Sequence, residues 1–97
     1  MTADSIITKI HNLNRDEDTD LFPEVQCGRY TISVQGGRGH FCTPCAELSQ
    51  LGSYDTVEVA VFDEDGDFVF HYEEGDEVLG YQNWAQVWDL ISKMLGR

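Results

Sequence analysis

Cys42 and Cys45, separated by Thr43 and Pro44, are the pair in this chain best spaced for chemistry. Two thiols at that interval on a turn can close a disulfide, lower one another's pKa, or supply two of four zinc ligands. A zinc set would be completed by Cys27 and one of His40, His71 or His11. A specific zinc ribbon would add a second C-x₂-C or a closely spaced Cys/His pair, and the chain has neither. The plainer expectation is two small, half-buried thiols on an edge strand or loop. Asp63, Asp65 and Asp67, with Glu74 twelfth from Asp63, outline a calcium loop, but the sixth position carries Phe68 where the sharp turn needs glycine. A hairpin turn of solvated carboxylates accounts for the same letters. Gly36, Gly37 and Gly39 lack the spacing of a phosphate-binding loop, and the three histidines form no assembled triad with Ser, Cys or Asp. No catalytic residue and no cofactor is assigned, and the expectation is a protein that is not an enzyme.

The run from Phe41 to Cys45 is similar to the active-site pentapeptide of thioredoxin-like oxidoreductases. Those folds face the motif with a proline-containing loop further along, and no proline follows Pro44 here. Neighbouring carboxylates also disfavour a thiolate. A zinc-stabilised or thiol-redox protein stays as the alternative reading.

Carboxylates dominate the rest. Eighteen Asp and Glu against six Lys and Arg give a net charge of −12, and no Lys or Arg lies between Arg38 and Lys93. A charge of this size on a compact body attracts cationic partners and repels nucleic acid and anionic membrane. Three clusters concentrate it. Asp63, Glu64, Asp65 and Asp67 form one, Glu73, Glu74, Asp76 and Glu77 another, and Asp16, Glu17, Asp18 and Asp20 the third. These twelve are the candidate partner-binding residues, with Tyr54 and Tyr81 as aromatic anchors beside them. Mutual repulsion among so many uncompensated groups opposes folding unless a partner or salt neutralises the field.

The elements that must position these residues follow from periodicity. Ninety-seven residues, 41% of them hydrophobic, suit one domain spanning 1–97 with one core. Ile6, Ile7, Ile10 and Leu13 recur at helical spacing, predicting a helix over about 4–14 capped by Asp4 or Ser5. Residues 14–24 read as a charged loop. Tyr30, Ile32 and Val34 alternate with Thr31, Ser33 and Gln35 as a half-buried strand requires, and 40–45 reads as a short returning edge strand. Residues 56–62 and 68–72 read as a hairpin around Gly66, with Val57, Val59 and Val61 on one face. Trp84, Val87, Trp88, Ile91, Met94 and Leu95 form a continuous helical stripe, both tryptophans expected in the core, opened by Asn83 with Gln86 and closed by Gly96. The fold class is α+β: an N-terminal helix, an antiparallel sheet of three to four strands, and a C-terminal amphipathic helix packed on the sheet. No apolar run approaches the roughly 18 residues of a membrane span, and the N-terminus lacks the layout of a secretory signal. With an odd cysteine count, the expectation is a cytoplasmic monomer.

Size, acidity and the order helix, antiparallel sheet, helix resemble the small phage-encoded anti-CRISPR proteins that act as DNA mimics. The stretch from Tyr30 to Pro44, followed by Tyr54 to Phe62, is similar to small phage proteins of this kind. The resemblance implies an inhibitor in the host cytoplasm that occupies the basic DNA-binding surface of a CRISPR-Cas effector. It points more narrowly to a type I complex and the subunit that reads the protospacer-adjacent motif.

Overall fold

The computed structural model describes residues 2–69 and 78–96. Helix α1 spans Ala3–His11. Its cap is Thr2: Thr2 Oγ1 accepts the Ser5 amide at 3.1 Å while Ser5 Oγ accepts the Thr2 amide at 3.2 Å, so two orphan donors are satisfied reciprocally. Ser5 is thus the third helical residue and Asp4 a first-turn acid, neither of them the cap. The helix stops at His11, short of the expected residue 14. Leu13 O is taken by the Leu51 amide at 3.0 Å, and Asn14 bridges Gln50, so these residues join a neighbouring loop instead.

Four antiparallel strands follow, β1 Val25–Cys27, β2 Tyr30–Gln35, β3 Thr56–Phe62 and β4 Val78–Asn83, adjacent in that order. β1 and β2 turn through Gly28 and Arg29, with Cys27 opposite Tyr30 and Gly28 at φ 63°. β2 and β3 pair from Thr31 opposite Phe62 to Gln35 opposite Glu58. Alternation sends Val25, Cys27, Ile32, Val34, Val57, Val59 and Val61 to one face, all buried. Thr31, Ser33, Gln35, Glu58, Ala60 and Phe62 occupy the outer face.

The expected hairpin partner of β3 begins as foreseen, with Phe68 bridging Phe62 and the Val69 amide bonded to Val61 O at 2.9 Å. Residues 70–72 lie outside the described residues, and β4 supplies the ladder, with Val59 opposite Leu79 and Ala60 opposite Val78. The expected strand at 40–45 is absent. Among the described residues, Thr43 makes a single bridge to Thr56, the chain passes through a cis Thr43–Pro44 bond, and Pro44 has no amide to extend a ladder.

Helix α2 spans Trp84–Leu95. Its box is the foreseen one: Asn83 Oδ1 accepts the Gln86 amide and Gln86 Oε1 the Asn83 amide, both at 2.8 Å. Val87, Leu90, Ile91 and Met94 are buried on the sheet together with Ile6 and Ile10 of α1, each large side chain contributing about 1.5–3 kcal/mol relative to exposure. Trp88 leaves the expected core stripe and is 42% exposed, because α1 rather than the sheet lies beside it. Both helices therefore cover one sheet face and leave the other as a polar surface. No described helix is long and apolar enough to cross a membrane.

Candidate functional site

Residues 16–20 and 63–67 carry the same pattern, Asp-Glu-Asp-x-Asp, and in each the leading aspartate caps amides of its own turn, with different closures. In the first turn Asp16 Oδ1 accepts the amides of Asp18 at 2.8 Å and Thr19 at 3.3 Å. Asp16 O accepts the Asp20 amide at 2.8 Å, and the Asp16 amide donates to Leu21 O at 2.9 Å. In the second, Asp63 Oδ1 accepts the amides of Asp65 at 2.9 Å and Asp67 at 3.0 Å. The Asp63 amide donates to Asp67 O at 2.9 Å, and Gly66 N to Asp63 O at 3.1 Å. Each turn needs one left-handed residue, Asp20 at φ 60° and Gly66 at φ 84°. Asp and Gly are among the residues that tolerate this.

The leading aspartate of each turn is thus spent on its own backbone, and the carboxylates behind it stand on a fixed frame. Glu17, Asp18, Asp20, Glu64, Asp65 and Asp67 are exposed. The ion pairs among the described residues go elsewhere, to Arg15 with Glu47, His40 with Glu58 and Lys93 with Asp89. Arg29 is the basic group beside the second turn. Its guanidinium donates to the Tyr30 hydroxyl at 2.9 Å and stacks over that ring at 5.1 Å. Its pKa is pushed above the usual arginine value, first by that hydrogen bond, then by the Tyr30 charge, and to a smaller extent by Glu64.

The two turns lie toward opposite ends of β2: the first is tied through Arg15 to Gly36 O, just past Gln35, and Asp63, Glu64 and Asp65 of the second share a depression with Arg29 and Tyr30. Asp16, Glu24 and Phe62 are among the residues lining a depression of about 460 Å³. Ser33 and Gln35 lie in the same depression, which places it on the outer sheet face. Gln35 ties the first loop there, accepting the Phe22 amide at 2.9 Å and donating to Phe22 O at 2.8 Å. Glu73, Glu74, Asp76 and Glu77 lie outside the described residues.

Arg15 holds the first turn from beneath, and sequence reading passed it over. Only 11% of its side chain is exposed. The guanidinium donates to Asp20 O at 2.9 Å, Gly36 O at 2.9 Å, Leu48 O at 3.0 Å and the Tyr54 hydroxyl at 2.9 Å, and it stacks on Phe22 at 4.6 Å. Five donors in a planar fork can serve this many acceptors, which lysine could not. Tyr54, expected as an exposed anchor, is 1% exposed and belongs to this network, its hydroxyl also accepting the Leu48 amide at 2.9 Å and donating to Ala46 O. Its ring lies so close to Gly36 that a Cβ there would meet it at 2.6 Å. The one signal in the sequence was an arginine directly before an acidic run.

A second feature of the outer face is a clasp. Glu58 accepts the Phe41 amide through Oε2 at 3.0 Å and meets His40 Nδ1 through Oε1 at 2.9 Å. Phe41 O accepts the Tyr81 amide at 2.9 Å, where a bulge opposite Val57 and Val59 puts Tyr81 at φ 55°, a strained value for an aromatic residue. Phe41 and Tyr81 stand 61% and 59% exposed with ring centroids 6.0 Å apart. Tyr81 therefore keeps the exposure expected of an anchor.

The thiols do not converge. Cys27 faces the core opposite Tyr30 at one end of β2, and burial raises its pKa. Cys42 is buried beyond the other end, its Sγ 3.3 Å from both Gly37 N and Gly37 O. The intervening length of β2 is about 20 Å at strand rise, so Cys27 cannot share a zinc ion with Cys42 and Cys45. His40 is engaged by Glu58, and His11 packs edge-on against Trp84 at 4.8 Å. Among the described residues no group of three His, Cys, Asp or Glu side chains is arranged to hold a metal.

No known family, curated protein or solved structure matches this chain.

Proposed function

We propose that the protein is an inhibitor that acts by binding, occupying the basic DNA-binding surface of a CRISPR-Cas effector with its carboxylates and so blocking target DNA. The observation that carries this reading is the pair of Asp-Glu-Asp-x-Asp turns, one toward each end of β2. Each fixes its own backbone and leaves Glu17, Asp18, Glu64 and Asp65 exposed outside any ion pair of the described residues. Duplex DNA carries one negative charge per roughly 1.7 Å of axis, and its binding proteins meet it with arginine and lysine channels. Carboxylates held on a rigid frame can take phosphate positions, form charge-assisted hydrogen bonds to arginines, and speed association through long-range attraction. No chemical step is required. The narrower target, the subunit of a type I complex that reads the protospacer-adjacent motif, comes from the family resemblance.

The test is a competition between this protein and target duplex for a purified type I effector at two salt concentrations. The expected result is loss of effector-bound DNA, relieved when Glu17, Asp18, Glu64 and Asp65 are reversed to lysine, with Glu73, Glu74, Asp76 and Glu77 reversed in a second variant. Inhibition by both variants equal to that of the native chain would overturn the reading. Replacing the exposed Cys45 by serine should leave inhibition unchanged, whereas a thiol-dependent protein would lose it.

A further inference from the structure

The helical layer carries a groove that the reading above does not use. α1 and α2 run side by side, and between them Ile7, Thr8, His11, Trp84 and Trp88 line a depression of about 340 Å³. Trp84 is anchored at its base, its Nε1 donating to Tyr54 O at 2.8 Å and its ring against His11. Trp88 stands at the rim with its Nε1 donating to Asp4 Oδ1 at 2.8 Å. That bond fixes the indole and sets a carboxylate next to it. Among the described residues nothing hydrogen-bonds the other oxygen of Asp4, and no Lys or Arg lines the groove.

We propose that this groove receives an arginine side chain of a basic protein partner, its guanidinium stacked on Trp88 and paired with Asp4. Three observations select that occupant. Indole is the strongest cation-attracting ring among the side chains, and arginine is the cation that stacks on it. Asp4 supplies a planar acceptor beside the ring, which a guanidinium can meet while it stacks. The chain's net charge of −12 draws cationic segments and repels anionic ones. A purely apolar partner would leave the Asp4 carboxylate facing hydrocarbon, at a desolvation cost with no return. The partner shares its basic chemistry with the proposed effector surface, yet no residue of either turn lines the groove, so the site stands or falls separately.

The chain's two tryptophans both line this groove, so the two indole N–H signals in a proton–nitrogen correlation spectrum report on it directly. The probe is a hexa-arginine peptide, with hexa-glutamine as the neutral control and calorimetry for affinity. Hexa-arginine should shift both indole signals and hexa-glutamine neither. Trp88→Ala should weaken binding about fivefold, the upper size of a cation–π contact at an exposed ring. Asp4→Asn keeps an acceptor for the indole but removes the charge, and should weaken binding by a smaller factor, about threefold. The variant with Glu17, Asp18, Glu64 and Asp65 reversed to lysine should still show the indole shifts, which separates this site from the acidic turns. Three results would each overturn the proposal: unchanged affinity in Trp88→Ala, indole shifts that vanish in the turn variant, or shifts produced by diluting the protein alone, which would make the groove a contact between copies.

Discussion

The two acidic turns have nearly the same letters and each is capped by its leading aspartate, yet they are held to the body of the protein by different means. Beneath Asp16–Asp20 lies a part-buried arginine that binds three backbone carbonyls and the Tyr54 hydroxyl. Asp63–Asp67 is a hairpin tip, supported by Phe62 against Phe68 at 4.8 Å and flanked by the solvent-exposed Arg29. The same local code thus serves one turn welded to the core and one at the end of a strand pair. Changes near the first should therefore be felt as stability, and changes near the second chiefly as charge.

The comparison breaks most visibly at Arg15. Arg15→Met should destabilise the protein by about 3 kcal/mol in urea unfolding, because several part-buried acceptors lose their donor at once. Arg29→Met, beside the other turn, should change stability by no more than about 0.5 kcal/mol. Next in size is Tyr54→Phe, which removes the hydroxyl shared by Arg15, Leu48 and Ala46 and should cost about 1–2 kcal/mol. Asp16→Ala and Asp63→Ala should each cost about 1 kcal/mol as the turn amides lose their acceptor. The asparagine variants, which keep Oδ1, should cost much less. If both asparagine variants are as damaging as alanine, charge rather than the amide-accepting frame holds the turns. Smallest of all, Glu64→Gln with Asp65→Asn should leave stability within about 0.5 kcal/mol of native, measured by the same unfolding transitions.

Regular elements with strong periodicity were legible in the sequence, and elements made by their neighbours were not. α2 could be read because Val87, Ile91 and Met94 repeat on one face and Asn83 with Gln86 marks the start. β2 and β3 alternate cleanly. β1 is three residues between Pro23 and Gly28, too short to show a period, and exists because β2 offers it an edge. β4 contains Gly80 and a bulged, left-handed Tyr81, so its alternation is broken where the Phe41 clasp passes over it; a Cβ on Gly80 would meet Phe41 Cβ at 2.7 Å. The acidic turns were read as loops, but their aspartate caps were hidden because which amides a carboxylate caps depends on backbone geometry. Arg15 drew no reading, and Tyr54 looked like an interface aromatic. Only the convergence of three distant segments, near residues 20, 36 and 48, reveals them as a buried junction.

The central claim is that exposed carboxylates of both turns bind a basic surface by long-range attraction. Its most direct measurement is the association rate with a type I effector across a range of salt, for the native chain and for a variant with Glu17→Gln, Asp18→Asn, Glu64→Gln and Asp65→Asn. The native chain should associate at least about tenfold faster at low salt than the variant, with the difference closing as salt rises. Rates that coincide at every salt concentration would contradict the account.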